Sequence, residues 1–93
     1  MKKDKLRYAI LKEFESGNKS FNQDNLGLSK DEFDEQIRFL HREKYIDGVM
    51  YADDQVYTLQ TIVVTEKGEQ YISENSTWAK VYRGLKEIKD FIK

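Results

Sequence analysis

The chain has no cysteine, no proline and a single histidine among its 93 residues. Without cysteine there is no disulfide framework, no thiolate nucleophile and no cysteine-ligated zinc. A lone histidine, His41, has no second histidine or cysteine with which to complete a metal site. No apolar run approaches the ~20 residues of a membrane-spanning helix. In MKKDKLRYAILKEF the apolar residues are interrupted by Lys12 and Glu13, so the segment has no signal-peptide core. The glycines are isolated, which excludes a glycine-rich phosphate loop, and no nucleophile elbow or paired-carboxylate arrangement is visible. These absences lead to the expectation of a non-enzymatic, cytoplasmic protein with no cofactor, no metal, no membrane partner and no small-molecule ligand.

What the chain has in quantity is charge. Asp, Glu, Lys and Arg make up 35% of it, yet the formal net charge is only −1. The distribution says more than the sum. Residues 1–16 hold five Lys/Arg and three acids, residues 76–93 five and two, and residues 17–75 six and twelve. The two ends are therefore basic and the middle is acidic, with a charge of −6. A chain of this size buries roughly two-thirds of its unfolded surface, enough for one domain over residues 1–93 with one core.

Hydrophobic spacing predicts the elements. Leu6, Ala9, Ile10 and Phe14 share a helical face over residues 4–16, while Tyr8 and Leu11 lie on another side; such a helix packs between neighbours. Asp4 is its expected N-cap and Gly17-Asn18 its stop. Phe21 and Leu26 belong to a short segment that Asn22 or Asp24 would start and Gly27 would turn. Ser29 and Glu32 form a capping box, followed by the stripe Phe33, Ile37, Leu40 in a helix running to about Lys44. Asp47-Gly48 is a turn signal. Val49-Met50-Tyr51 and Val56-Tyr57-Thr58-Leu59 read as a hairpin around the four-residue loop Ala52 to Gln55. Residues 61–64 extend the second strand or form a separate crossing segment. Thr65 caps a helix that Asn75 ends, with Ser76 or Thr77 capping the next. Trp78, Val81, Tyr82, Leu85, Ile88 and Ile92 then fall on one arc, which predicts a continuous last helix over 77–92. The fold class is mainly α with a small β-hairpin (α+β), in the order of a winged helix-turn-helix.

Three stretches carry a resemblance: KDKLRYAILKE near the start, FDEQIRFLHREKYIDGVMYADD in the middle, and TEKGEQYISEN followed by TWAKVYRGLKEIKDFIK. Together they resemble the YjcQ family of small bacterial and prophage-associated winged-helix proteins, over nearly the whole chain. The resemblance implies the winged-helix fold and an intracellular bacterial setting. It implies no activity, and it transfers no functional residues.

In a winged helix the capped helix would read DNA. Lys30, Arg38, His41 and Arg42 are then its candidate nucleic-acid contacts, with Lys80, Arg83 and Lys86 of the basic C-terminal stretch and Lys2, Lys3, Lys5 and Arg7 near the start as phosphate contacts. Against that reading, residues 30–36 carry one lysine and four acids, and the wing tip is Asp53-Asp54 rather than a basic pair. Acids in a first helical turn also complement the helix dipole, and Asp34–Arg38 and Glu35–Arg38 have ion-pair spacing. Asp31, Glu35, Asp53 and Asp54 are therefore a candidate surface for a protein partner. Gly84, Ile88 and Phe91 are candidate dimer contacts, because a mid-helix glycine permits a second helix to approach closely. The partners to be tested are double-stranded DNA, another protein, or a second copy of the chain.

Overall fold

A computed structural model describes residues 2–92; Met1 and Lys93 lie outside the described residues, as does the side chain of Lys2. The first helix, α1 (Lys2–Glu15), is the element on which the others are laid. Tyr8, Ala9, Ile10 and Leu11 have no solvent exposure at all. Four consecutive residues exceed one helical turn, so at this level α1 is covered from every direction. Both apolar sides read from the sequence are thus used. Asp4 lies inside the first turn and not at the N-cap, a correction of one turn in where the helix begins.

Local chemistry sets the next two helices. α2 (Gln23–Leu26) starts at Asn22, whose side chain accepts from the Asp24 N–H, and ends at Gly27 with φ 71°. α3 (Lys30–Arg42) carries the expected capping box: the Glu32 N–H donates to Ser29 Oγ at 3.1 Å and the Ser29 N–H to Glu32 Oε1 at 2.9 Å. That backbone donor, seconded by the hydroxyl, holds the Glu32 carboxyl below its usual range. Phe33, Ile37 and Leu40 are buried as their spacing requires.

The chain then makes two separate antiparallel ladders. β1 (Ile46–Asp47) pairs with β4 (Val63–Val64), and β2 (Met50–Ala52) with β3 (Gln55–Thr58). The crossing segment 61–64 therefore belongs to β1 and does not extend the hairpin. The hairpin loop is shorter than expected, because Ala52 and Gln55 pair and leave only Asp53 and Asp54 between the strands. Both sit at positive φ, 52° and 62°. A two-residue loop with both central residues left-handed matches strand twist, and aspartate tolerates that region better than most residues.

α4 (Glu66–Glu74) is capped by Thr65, whose hydroxyl accepts from the Gly68 N–H at 3.0 Å and donates to the Lys44 carbonyl at 2.6 Å. This cap joins α4 to the end of α3. Gly68 is buried against the same strand entry. A Cβ there would overlap the Tyr45 carbonyl oxygen and come within 2.7 Å of Val64 Cγ1.

The expected long last helix is not formed. α5 (Ser76–Ala79) is a single turn, Gly84 adopts φ 100°, and a 3-10 turn (Leu85–Glu87) leads into the short α6 (Ile88–Phe91). Asn75, not Ser76 or Thr77, precedes α5. The helix ends at Ala79, and the turn at Gly84 then leads the final residues back over α1. Tyr8 meets Trp78, Tyr82 and Phe91 at ring centroid distances of 5.6, 6.3 and 6.0 Å. On the other flank Phe14, Phe21 and Phe33 form a second aromatic chain. Three helices, a hairpin and a helical C-terminal part make an α+β architecture. Its order is compatible with a winged helix-turn-helix in which β2–β3 is the wing.

Two predictions follow from the packing. Gly68→Ala should destabilise the fold by about 1–3 kcal/mol through overpacking, visible as a Tm lowered by roughly 4–8 °C per kcal/mol; an unchanged Tm contradicts the close approach. The second concerns alkaline pH. Burial, then the neighbouring Asp4 and Tyr45, pushes the Tyr71 phenol up to about 12. Burial and its hydrogen bond to Glu13 raise Tyr82 as well. Folded phenols keep protons that the unfolded chain releases near pH ~10, so stability should fall as pH rises from about 10 towards 12. Chemical denaturation across that window, with Tyr71→Phe giving a shallower decline, checks this.

Candidate interaction surface

α3 presents three sides, and each has a different job. Phe33, Gln36, Ile37 and Leu40 face the core. Lys30, Asp34, Arg38 and His41, one turn apart along the helix, face the hairpin. Asp31, Glu35 and Arg42 point outward and are exposed.

The hairpin side is the most ordered. Asp34 is 1% exposed, and its Oδ1 accepts from the Lys30 ammonium at 2.6 Å. Its Oδ2 accepts from the Val56 N–H at 3.3 Å, while Lys30 Nζ also donates to the Val56 carbonyl at 3.2 Å. One ion pair thus satisfies both backbone groups of a β3 residue and fastens the hairpin to α3. Further along, the Arg38 guanidinium donates to the Asp54 carbonyl at the hairpin turn. His41 Nδ1 lies 3.3 Å from the Tyr51 hydroxyl, with the two rings 6.2 Å apart.

These contacts show where the expected site residues are placed. Lys30, read as a nucleic-acid contact, spends its charge on Asp34 and Val56. Arg38 binds the wing turn and does not pair with Asp34 or Glu35. His41 packs on the wing. Arg42 remains outward, its guanidinium 4.0 Å from Glu35 with both side chains more than half exposed; such a pair contributes little. Lys80 and Arg83 are exposed in the segment joining α5 to the 3-10 turn. Asp53 and Asp54 are exposed at the wing tip.

Gly84, Ile88 and Phe91, expected as dimer contacts, are used differently. Ile88 and Phe91 are 3% and 6% exposed, inside the core of one chain. Gly84 faces open space and supplies the positive φ of the turn that precedes the 3-10 segment. No helix face carrying all three exists, because the helix that would present it is broken.

Two features of this surface were missed by spacing arguments. Arg7 of α1, expected with the terminal lysines in a basic patch, instead donates to Gln36 Oε1 at 2.8 Å and lies 3.5 Å from the Phe39 ring centroid, tying α1 to α3. Beside Asp31 and Glu35 the surface also dips into a cavity of about 570 Å³ between α1 and α3. Residues from four parts of the chain line it, so no local pattern announces it. Among the described residues, no group of three or more His, Asp or Glu is placed to hold a metal ion. Among the same residues, no helix is long and apolar enough to cross a membrane.

Fold and surface together define a small α+β domain of winged-helix-compatible order whose third helix exposes Asp31 and Glu35. Comparison with known proteins makes the assignment more particular. The family model described as "YjcQ protein" matches residues 5–91. "Uncharacterized protein YjcQ" of Bacillus subtilis (strain 168) is 53% identical over 95 aligned positions, covering the whole of both chains. The solution NMR structure of the YjcQ protein from Bacillus subtilis superposes with a TM-score of 0.69 at 47% identity, over 80% of this chain and 96% of that one. The chain belongs to the YjcQ family.

The clamp gives a direct test. Asp34→Ala leaves the Val56 N–H without its acceptor, a loss of roughly 1–3 kcal/mol for a buried group. Urea unfolding should record it, and amide exchange at Val56 should accelerate; Asp34→Asn, which keeps an acceptor, should lose less. Unchanged exchange at Val56 would count against the clamp.

Proposed function

We propose that this protein is a protein-interaction module that presents the outward side of α3 to its partner. The observation that carries this reading is the division of charge on α3. Lys30, Arg38 and His41 are engaged with the wing, whereas Asp31 and Glu35 stand exposed. The wing tip continues the same sign through Asp53 and Asp54. A face of this kind repels the phosphate backbone that dominates affinity for DNA, and it attracts a basic protein surface. No metal or cofactor enters the reading, and none of it requires enzymatic chemistry.

A DNA-binding, regulator-like role is the second reading. It is supported by the winged-helix-compatible order and by Arg42, Lys80 and Arg83, which stay exposed. Its contacts would then come from the last turn of α3 and the C-terminal segment.

One pair of experiments separates the two. In the first reading, proteins captured from the bacterial lysate by the wild-type chain should be lost with the Asp31→Lys, Glu35→Lys double variant; identical captures by the two overturn it. In the second, a mobility-shift series should show duplex DNA binding that weakens steeply with salt and with Arg42→Ala; no shift at low salt sinks it.

A further inference from the structure

We infer that the cavity between α1 and α3 is a docking groove for a basic peptide segment anchored by large apolar side chains. The inference rests on the interaction-module reading and names the partner's chemistry. The floor is apolar. Leu6 and Leu26 belong to the core, at 6% and 2% exposure, and Leu28 and Ile92 are partly buried against it. A floor built from core residues is present before any partner arrives, and a volume of about 570 Å³ falls within the range of pre-formed binding pockets, roughly 300–1,000 Å³.

The walls choose the partner. On the α3 side stand Asp31, Glu32 and Glu35, and on the α1 side Lys3. Glu32 is committed to the Ser29 cap and Glu35 has only its long, exposed pair with Arg42, which leaves Asp31 and Glu35 able to meet whatever enters. A purely apolar occupant would strip water from both carboxylates without replacing it, which is costly for charged groups. An acidic or phosphorylated occupant would be repelled by them. A segment with apolar anchors on one side and Lys or Arg on the other fills the floor and pairs the wall. Lys3 fixes its orientation, because the partner's basic side chains must lie towards α3.

The test uses the full, uniformly ¹⁵N-labelled chain and two synthetic peptides. Both share one apolar pattern of Leu residues; one carries Arg and the other Glu at the remaining positions. The Leu/Arg peptide should give saturable amide shifts centred on Leu28, Asp31, Glu35 and Ile92, and the Leu/Glu peptide none. Asp31→Lys with Glu35→Lys, both exposed sites, should weaken binding at least tenfold, as should Leu28→Gln, with the remaining spectrum unchanged. Several outcomes overturn the groove: no saturable shift, equal binding of both peptides, shifts confined to the hairpin, or concentration-dependent shifts at these amides without peptide, which would mark a second copy as the occupant. If the Leu/Arg peptide fails while the charge-reversed chain still loses its captured partners, the groove is wrong and the interaction-module reading stands.

Discussion

The enclosure of α1 is the constraint on which the rest of the structure depends. Burying four successive residues of one helix requires material on every side, and a chain of 93 residues has little to spare. The material comes from everywhere. α4 and β4 cover one side, the aromatic chain through Phe21 and Phe33 another, and the returning C-terminal segment the last. Apart from α3 and α4, the other elements are short, and several of them serve to cover a part of α1 or to connect such parts. That is why two-residue strands and four-residue helices suffice here, although none would persist alone.

With α1 inside, α3 becomes the helix that meets solvent, and its charges are sorted by direction. Towards the wing, cations and one buried carboxylate make internal bonds. Towards solvent, carboxylates predominate. The ion pair of Lys30 and Asp34 is the hinge of this arrangement, since it both removes a cation from the outer surface and fixes the wing. The same order of elements that serves DNA reading elsewhere is thus furnished with an outer face of opposite character. Fold order and surface chemistry are separate inferences, and the proposal of a protein partner rests on the second of them.

How much was legible in the sequence follows from the range of each interaction. The Ser29–Glu32 box, the Thr65 cap and the Gly27 turn are complete within three or four residues, and they stand where the pattern put them. The stripe Phe33, Ile37, Leu40 is likewise local. A helical wheel assumes continuity: Leu85, Ile88 and Ile92 align with Trp78 only if residues 80–84 are helical, and the helix ends at Ala79, with Gly84 at φ 100° beyond it. Asp34 was expected to pair with Arg38; it pairs with Lys30 at the same spacing on the other side, and both bind Val56, more than twenty residues away. The acidic outer face was visible from composition. The groove beside it was not, because Leu6, Leu28 and Ile92 are brought together only by the complete fold.

The covering of the first helix by the last has a consequence for how the protein folds. Glu13 bonds Tyr82, 69 positions on, and Tyr71 reaches the Asp4 carbonyl across 67 positions. Phe91 lies against Tyr8 from near the other end of the sequence. Ordering the core therefore means closing long loops, whose entropy cost is met before the contacts that reward it are made. Without the segment around Phe91, Tyr8 would be left uncovered on that side.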